Sequence, residues 1–166
     1  VVEQSYSQGD TDFSAQLTAI RSSEAKAIFI PGYYSEVGAI ARTAKRLGVN
    51  VPLLGGDAWE APDLFKIGGD AVNGCYYSTH FSADIATAKG KAFVAAFEKQ
   101  TKRKPTGLGA LGYDAAYVLI DAIKRAGKLD SKAIRDALSA TKDFDGDAGK
   151  ITNNKERNAD KSAVVM

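Results

Sequence analysis

One cysteine, one histidine and one tryptophan occur in 166 residues. Cys75 alone forms no intrachain disulfide and no cysteine cluster, and its apolar surroundings, Gly74–Tyr77, mark it as a small core residue. His80 alone excludes metal sites built from several imidazoles. A Ser–His–Asp triad would have to use it, yet no serine stands in a G-x-S-x-G elbow. No run of ~18 or more apolar residues is present, so no helix of membrane-spanning length is encoded. Neither charge sign dominates: 22 basic against 20 acidic residues leave a net charge of +2, which implies no polyanionic partner. The four cations of Lys99–Lys104 have no aromatic residues interleaved and read as a solvated helix end, not a nucleic-acid site. Internal repeats, low-complexity tracts, a signal peptide and an initiator methionine are all missing, and both ends read as cut inside strands.

What is present is a globular composition, 45% hydrophobic and 25% charged, on a length ordinary for one domain. The chain is organised around Ile28–Trp59. Ile28–Ile30 is a short apolar run stopped by Pro31–Gly32, as for a strand buried on both faces. Ser35 is a candidate cap for a helix whose Val37, Ile40, Ala41, Ala44 and Leu47 recur at spacings of three and four. Lys45 and Arg46 suit its negative end, and Gly48 stops it. Val51–Leu54 is the next strand, and Gly55–Gly56 turns the chain into Asp57. Two consecutive strands thus lead into two turns, one carrying Tyr33–Tyr34 and the other Asp57–Trp59. In a parallel α/β sheet such turns emerge at the carboxyl ends, where ligands bind. A carboxylate there suits an ammonium group, and an aromatic neighbour adds apolar wall and cation–π attraction. The bland alternative makes Asp57 a helix cap and Tyr33 a loop tyrosine; Trp59 either shields the pocket or closes the loop.

Upstream, Val1–Tyr6 alternates weakly, and Asp10 or Thr11 can cap a helix with Phe13, Leu17 and Ile20 inside. Downstream, Ala61–Ile67 is a short helix opened by Pro62 and stopped by Gly68–Gly69, followed by a buried parallel strand at Val72–Tyr77. Strands alternating with helices predict a parallel sheet with right-handed crossovers. The rhythm then changes, and residues 84–140 predict helices without a strand. These are Asp84–Thr101 with Ile85, Phe93 and Phe97 inward, Leu111–Ala126 after a break at Pro105 and Gly107, and a third capped by Asp130 or Ser131. The second is expected to bury Leu111, Ala115, Val118, Leu119, Ala122 and Ile123 before Gly127 stops it, and the third to use Ile134 and Leu138. The last stretch reads as a small hairpin and a strand, Ala163–Met166. Gly107–Gly112 is a literal G-x-G-x-x-G, but a basic helix end and Pro105 precede it where a dinucleotide fingerprint needs a buried strand.

The segments PGYYSEVGAIARTAKRLG and PLLGGDAW, with QGDTDFSAQLTAI upstream and ALGYDAAYVLIDAIKRAG and DGDAGKIT downstream, resemble the branched-chain amino-acid (Leu/Ile/Val) receptor family of bacterial ABC importers. These are type I periplasmic binding proteins. The resemblance implies an α/β fold with a parallel, doubly wound (Rossmann-like) sheet, in truncated form and corresponding to roughly the C-terminal half. It implies residues 1–77 in the second lobe, 78–82 as a hinge crossing, 83–160 in the first lobe and 161–166 opening a third crossing. It makes Tyr33 and Asp57 ligand contacts, with aspartate where several members have glutamate, and Leu108 a wall for the ligand side chain. His80 becomes a hinge or surface residue. The implied activity is extracytoplasmic binding of a small amino acid by lobe closure and docking to a membrane permease, with no catalysis, cofactor or metal. The family's carboxylate-binding groups have no counterpart in these residues, so the chain alone is expected to self-associate and to bind amino acids ~100-fold or more weakly. A ligand-sensing regulatory domain of the same fold, and a small α/β enzyme using Asp57 and His80, are the alternatives.

Overall fold

The computed structural model describes the backbone of residues 1–166 and every side chain except that of Ile85, whose expected inward packing lies outside the described residues. The chain forms two units, Val1–Thr79 with Val165–Met166, and His80–Val164.

The first unit is a layered α/β structure. Its elements are α1 (Ser14–Arg21), β1 (Ile28–Ile30), α2 (Tyr34–Arg46), β2 (Leu53–Gly55), α3 (Pro62–Gly68) and β3 (Tyr76–Thr79). Strand β1 pairs in parallel with β2 in the register Ile28↔Leu53 and Ile30↔Gly55, and β2 pairs in parallel with β3. Because the strands lie side by side in chain order, right-handed crossovers put α2 and α3 on one face of the sheet. There Val37, Ile40, Ala41 and Ala44 of α2 meet Leu17 and Phe13 beside α1, Ile28 and Ile30 of β1, and Leu64 of α3. Gly38 lets α2 and α3 approach closely: a Cβ there would lie 2.7 Å from the Ile67 side chain.

Several expectations need correction. Val1–Tyr6 forms no strand or helix among the described residues. Strand β1 is not buried on both faces: Ile28 and Ile30 are buried, while Phe29 between them is 66% exposed because the opposite sheet face carries no helix layer. The strand expected at Val72–Tyr77 begins at Tyr76, since Gly69–Val72 is a 3-10 turn, and Tyr76 points to the same open face. Cys75 therefore precedes the strand and is half-buried, its thiol pushed up by burial. Ser35 does not cap α2. Tyr33 takes the N-cap position without a side-chain bond, and the Ser35 hydroxyl donates to Glu36 at 2.5 Å. Neither Asp10 nor Thr11 caps α1; Phe13 holds that position, and the Asp12 carboxylate accepts from the Ser14 N–H.

The second unit contains α4 (Ala88–Thr101), α5 (Gly107–Ala126), α6 (Ser131–Ser139), β4 (Phe144–Gly146), β5 (Gly149–Asn153) and β6 (Ala159–Asp160). Strands β4, β5 and β6 make a small antiparallel sheet. No strand lies between residues 80 and 143 among the described residues. Helix α4 starts later than expected, at a Thr87 cap, because Ala83–Ile85 forms a separate 3-10 turn capped by Ser82. Helix α5 starts four residues earlier than expected: the Thr106 hydroxyl accepts from the Gly109 N–H, so Gly107 opens the helix and does not break it. Its buried stripe is Gly107, Ala110, Asp114, Val118 and Ala122, and the expected core residues Ala115 and Leu119 are exposed. Asp114 is buried because it accepts the N–H groups of Asp147 and Ala148 at 2.7 and 2.9 Å, closing the β4–β5 turn. The terminal β7 (Val164–Val165) leads to Met166, which exchanges both backbone hydrogen bonds with Tyr77, the pattern of an antiparallel neighbour.

Candidate functional site

Parallel pairing of β1 with β2 places Ile30 directly beside Gly55, so the turns that follow leave the sheet at the same end. Tyr33 stands three residues beyond Ile30 and Asp57 two beyond Gly55. Tyr33 begins α2 in an extended conformation, φ −85° and ψ 159°, and is 60% exposed. At the neighbouring Gly32 a Cβ would fall 1.8 Å from the Tyr6 hydroxyl, so a side chain there would displace that phenol. Tyr6 is held from the other side by an edge-to-face contact with Phe13, ring centroids 5.5 Å apart.

Asp57 opens a 3-10 turn, Asp57–Trp59, closed by the hydrogen bonds Trp59 N–H to Gly56 and Glu60 N–H to Asp57. Its carboxylate is exposed and takes part in no hydrogen bond or ion pair among the described residues. Trp59 points the other way. It is 1% exposed, packs over Gly55, and donates from Nε1 to the Ile30 carbonyl at 3.1 Å. In this unit it is the support beneath both turns, and any ligand contact would require the turn to move.

Three further residues, Tyr77, Thr79 and Glu60, belong to this end of the sheet and were not singled out in the sequence. The Tyr77 ring lies 6.4 Å from that of Trp59, and the Thr79 hydroxyl donates to Glu60. Burial, with the Glu60 charge second, pushes the Tyr77 phenol up. Glu60, one residue after the Asp57–Trp59 turn, was visible only as an acid in a loop. The strand ends thus gather two carboxylates, an exposed tyrosine and a buried aromatic floor. That arrangement suits a small cation with an apolar body.

Leu108 lies in the second unit. It occupies the first turn of α5 on the side opposite Ala110 and Asp114, and is 64% exposed. The GLGALG motif occupies the same turn, and the Thr106 side chain already takes the Gly109 N–H that a phosphate would need. No group of three or more His, Cys, Asp or Glu side chains that could hold a metal exists among the described residues. None of their helices is long and apolar enough to cross a membrane.

A parallel α/β unit with open turns at the strand carboxyl ends defines the class of doubly wound proteins that receive ligands there. Comparison narrows the class: the chain belongs to the periplasmic binding protein family, whose model matches residues 1–165. It is 42% identical to a leucine binding protein, LivK, from Thermotoga maritima, whose crystal structure superimposes with a TM-score of 0.91 over 96% of this chain and 46% of that one. It is 33% identical to the LivJ substrate-binding protein of Streptococcus pneumoniae, solved with isoleucine, with a TM-score of 0.87 over 97% of this chain and 46% of that one. Among curated proteins it is 32% identical over 154 residues to the Leu/Ile/Val-binding protein BraC3 of Rhizobium johnstonii, covering 92% of this chain and 41% of that protein. The fold is that of a type I periplasmic binding protein, and the chain spans less than half the length of these relatives.

Proposed function

We propose that this chain is the ligand-binding portion of an extracytoplasmic receptor for a small, branched-chain amino acid, serving a membrane permease of an ABC importer and catalysing nothing. The carrying observation is the pair of exposed groups, Tyr33 and Asp57, at the carboxyl ends of two adjacent parallel strands. Asp57 accepts the α-ammonium in a charge-assisted hydrogen bond, and Tyr33 forms the wall beside it. The names of the relatives, which bind leucine, isoleucine or valine, support the ligand class. Leu108 is offered as an apolar contact for the ligand side chain on the resemblance alone. Trp59 acts from beneath, holding the Asp57 turn to β1. We assign residues 1–77 to the second lobe, 83–160 to the first, and 78–82 and 161–166 to chain crossings; the receptor would work by ligand-driven closure about them.

The test is a titration followed by amide chemical shifts. Millimolar leucine is expected to move the signals of Tyr33, Gly56 and Asp57, and N-acetyl-leucine, which lacks the ammonium, is not. Equal responses to the two compounds, or shifts elsewhere only, would sink the assignment of Asp57.

A further inference from the structure

Arg42 and Arg46 stand one helical turn apart in the C-terminal half of α2, and with Thr11, Asp12, Ser14 and Thr43 they line a pocket of about 450 Å³. The facing wall is the start of α1, so the pocket belongs entirely to the first unit. It is separate from the candidate amino-acid site: Arg42 comes nine residues after Tyr33, about 13 Å along the helix.

Helix-end electrostatics accounts for part of this charge. Lys45 and Arg46 lie in the last turn of α2, where cations favour the negative end of the dipole, and Lys45 is paired with Asp70 at 2.7 Å. Arg42 lies a turn earlier, is exposed, and has no hydrogen-bond or ion-pair partner among the described residues. Like charges four residues apart on one helix oppose each other, so the pair is destabilising unless an anion sits between them. Arg46 is already oriented, its guanidinium donating to the Ser14 hydroxyl at 3.2 Å.

Thr43 gives the second sign of a ligand. It is 8% exposed, yet its hydroxyl has no hydrogen-bond partner among the described residues, although a buried hydroxyl ordinarily finds one. A helical threonine can turn its hydroxyl to the carbonyl four residues back, as Thr101 does to Phe97 at 2.9 Å, and Thr43 does not. Helix α1 spans eight residues and has no capping side chain at Phe13, so the positive end of its dipole flanks the same pocket. Asp12 is the acid in the lining. Its carboxylate accepts the Ser14 N–H at 3.0 Å and pairs with neither arginine among the described residues.

We infer that this pocket binds a tetrahedral oxyanion, a phosphate group, between the Arg42 and Arg46 guanidinium groups, with the Thr43 hydroxyl donating to a further oxygen. A planar carboxylate has two oxygens, which one guanidinium fork satisfies. Two forks and a buried hydroxyl match the additional oxygens and the second charge of a phosphate. The recognised chemistry is the phosphate group itself, as the free inorganic ion or as the headgroup of a lipid phosphomonoester.

The probe is inorganic phosphate, added to residues 1–166 at constant ionic strength while amide chemical shifts are followed, with chloride as the control. Saturable shifts are expected at Ser14 and Thr43, and none with chloride. Arg42→Gln should weaken binding at least ~10-fold, the worth of one charge-assisted hydrogen bond. Asp12→Asn keeps an acceptor for the Ser14 N–H and removes the opposing charge, so it should strengthen binding ~3-fold or more, a gain that unfolding could not produce. Lys45→Gln removes a charge from the same helix outside the pocket and should change affinity less than ~2-fold. Flotation with phosphatidylcholine vesicles containing phosphatidic acid separates the two sources. Retention that is lost in Arg42→Gln marks the lipid headgroup, and phosphate binding without retention marks the free ion. No saturable response, an equal response to chloride, or normal binding by Arg42→Gln would overturn the inference. So would a Lys45→Gln variant weakened as much as Arg42→Gln, which would reduce the effect to overall charge. Tighter binding of a tetraglutamate peptide than of phosphate would overturn it too, by making an acidic protein segment the partner.

Discussion

The indole Nε1 of Trp59 donates a 3.1 Å hydrogen bond to the carbonyl oxygen of Ile30, tying the turn after β2 to the end of β1. The contact spans 29 residues of sequence and fixes the support on which Asp57 and Tyr33 stand. Gly55 makes it possible, since a Cβ there would come within 2.0 Å of the indole. Trp59→Phe leaves the Ile30 carbonyl buried and unpaired, and is expected to cost about 1–3 kcal/mol in urea denaturation. Gly55→Ala should cost at least as much by forcing the indole out, and the chain's single tryptophan makes its fluorescence a direct readout. Loss of stability below ~0.5 kcal/mol in both variants would show that the turn is held by other means.

Glu36 is buried in α2, where its carboxylate accepts from the Ser35 hydroxyl and, at 3.0 Å, from the Gly9 N–H. Those bonds, the Ser35 bond first, hold its pKa below the ordinary glutamate value. The folded value lies below the unfolded one, so the contribution to stability is present above about pH 4.3 and is lost as pH falls through the folded value. Glu36→Gln should therefore flatten the acid limb of a plot of thermal midpoint against pH in that window. An unchanged acid limb would place the titration elsewhere.

Asp57 is exposed and supports no other group among the described residues, so it should matter to ligand and little to stability. Asp57→Ala is expected to reduce amino-acid affinity by about 1.5–3 kcal/mol, the usual worth of a hydrogen bond to a charged group. Stability should change by less than ~0.5 kcal/mol, as for other surface substitutions. Asp57→Glu, with the acid longer by one methylene, should keep most of the affinity. Calorimetry on the three proteins checks this, and an Asp57→Ala variant that binds normally would refute the role of the carboxylate.

Asp114 in α5 serves the second unit in the way that Trp59 serves the first. Asp114→Ala would leave the N–H groups of Asp147 and Ala148 unpaired, at an expected cost of about 2–5 kcal/mol. Amide exchange at those two residues should accelerate more than in α4, because the β4–β5 turn loses its anchor first. Uniform acceleration across the unit would point to global destabilisation instead.

Local chemistry determined much of this protein. Apolar spacing marked α2, Pro62 and Gly68–Gly69 bounded α3, the stops Pro31–Gly32 and Gly48 bounded β1 and α2, and the strand–helix alternation implied parallel pairing. These features depend on residues within one turn or one strand of each other. Parallel pairing then placed Tyr33 and Asp57 at the same end of the sheet, so that pair was legible before any coordinates. Which face of each element is covered was not legible, because burial depends on what other segments bring. Phe29 reads as core by its neighbours Ile28 and Ile30, yet it faces a sheet surface with no helix layer. Leu119 reads as core by helical spacing, yet the buried stripe of α5 follows Asp114, whose burial is fixed by two backbone N–H groups some thirty residues away. Trp59 was ambiguous for the same reason: only the position of the Ile30 carbonyl decides that its indole turns inward, beneath the site.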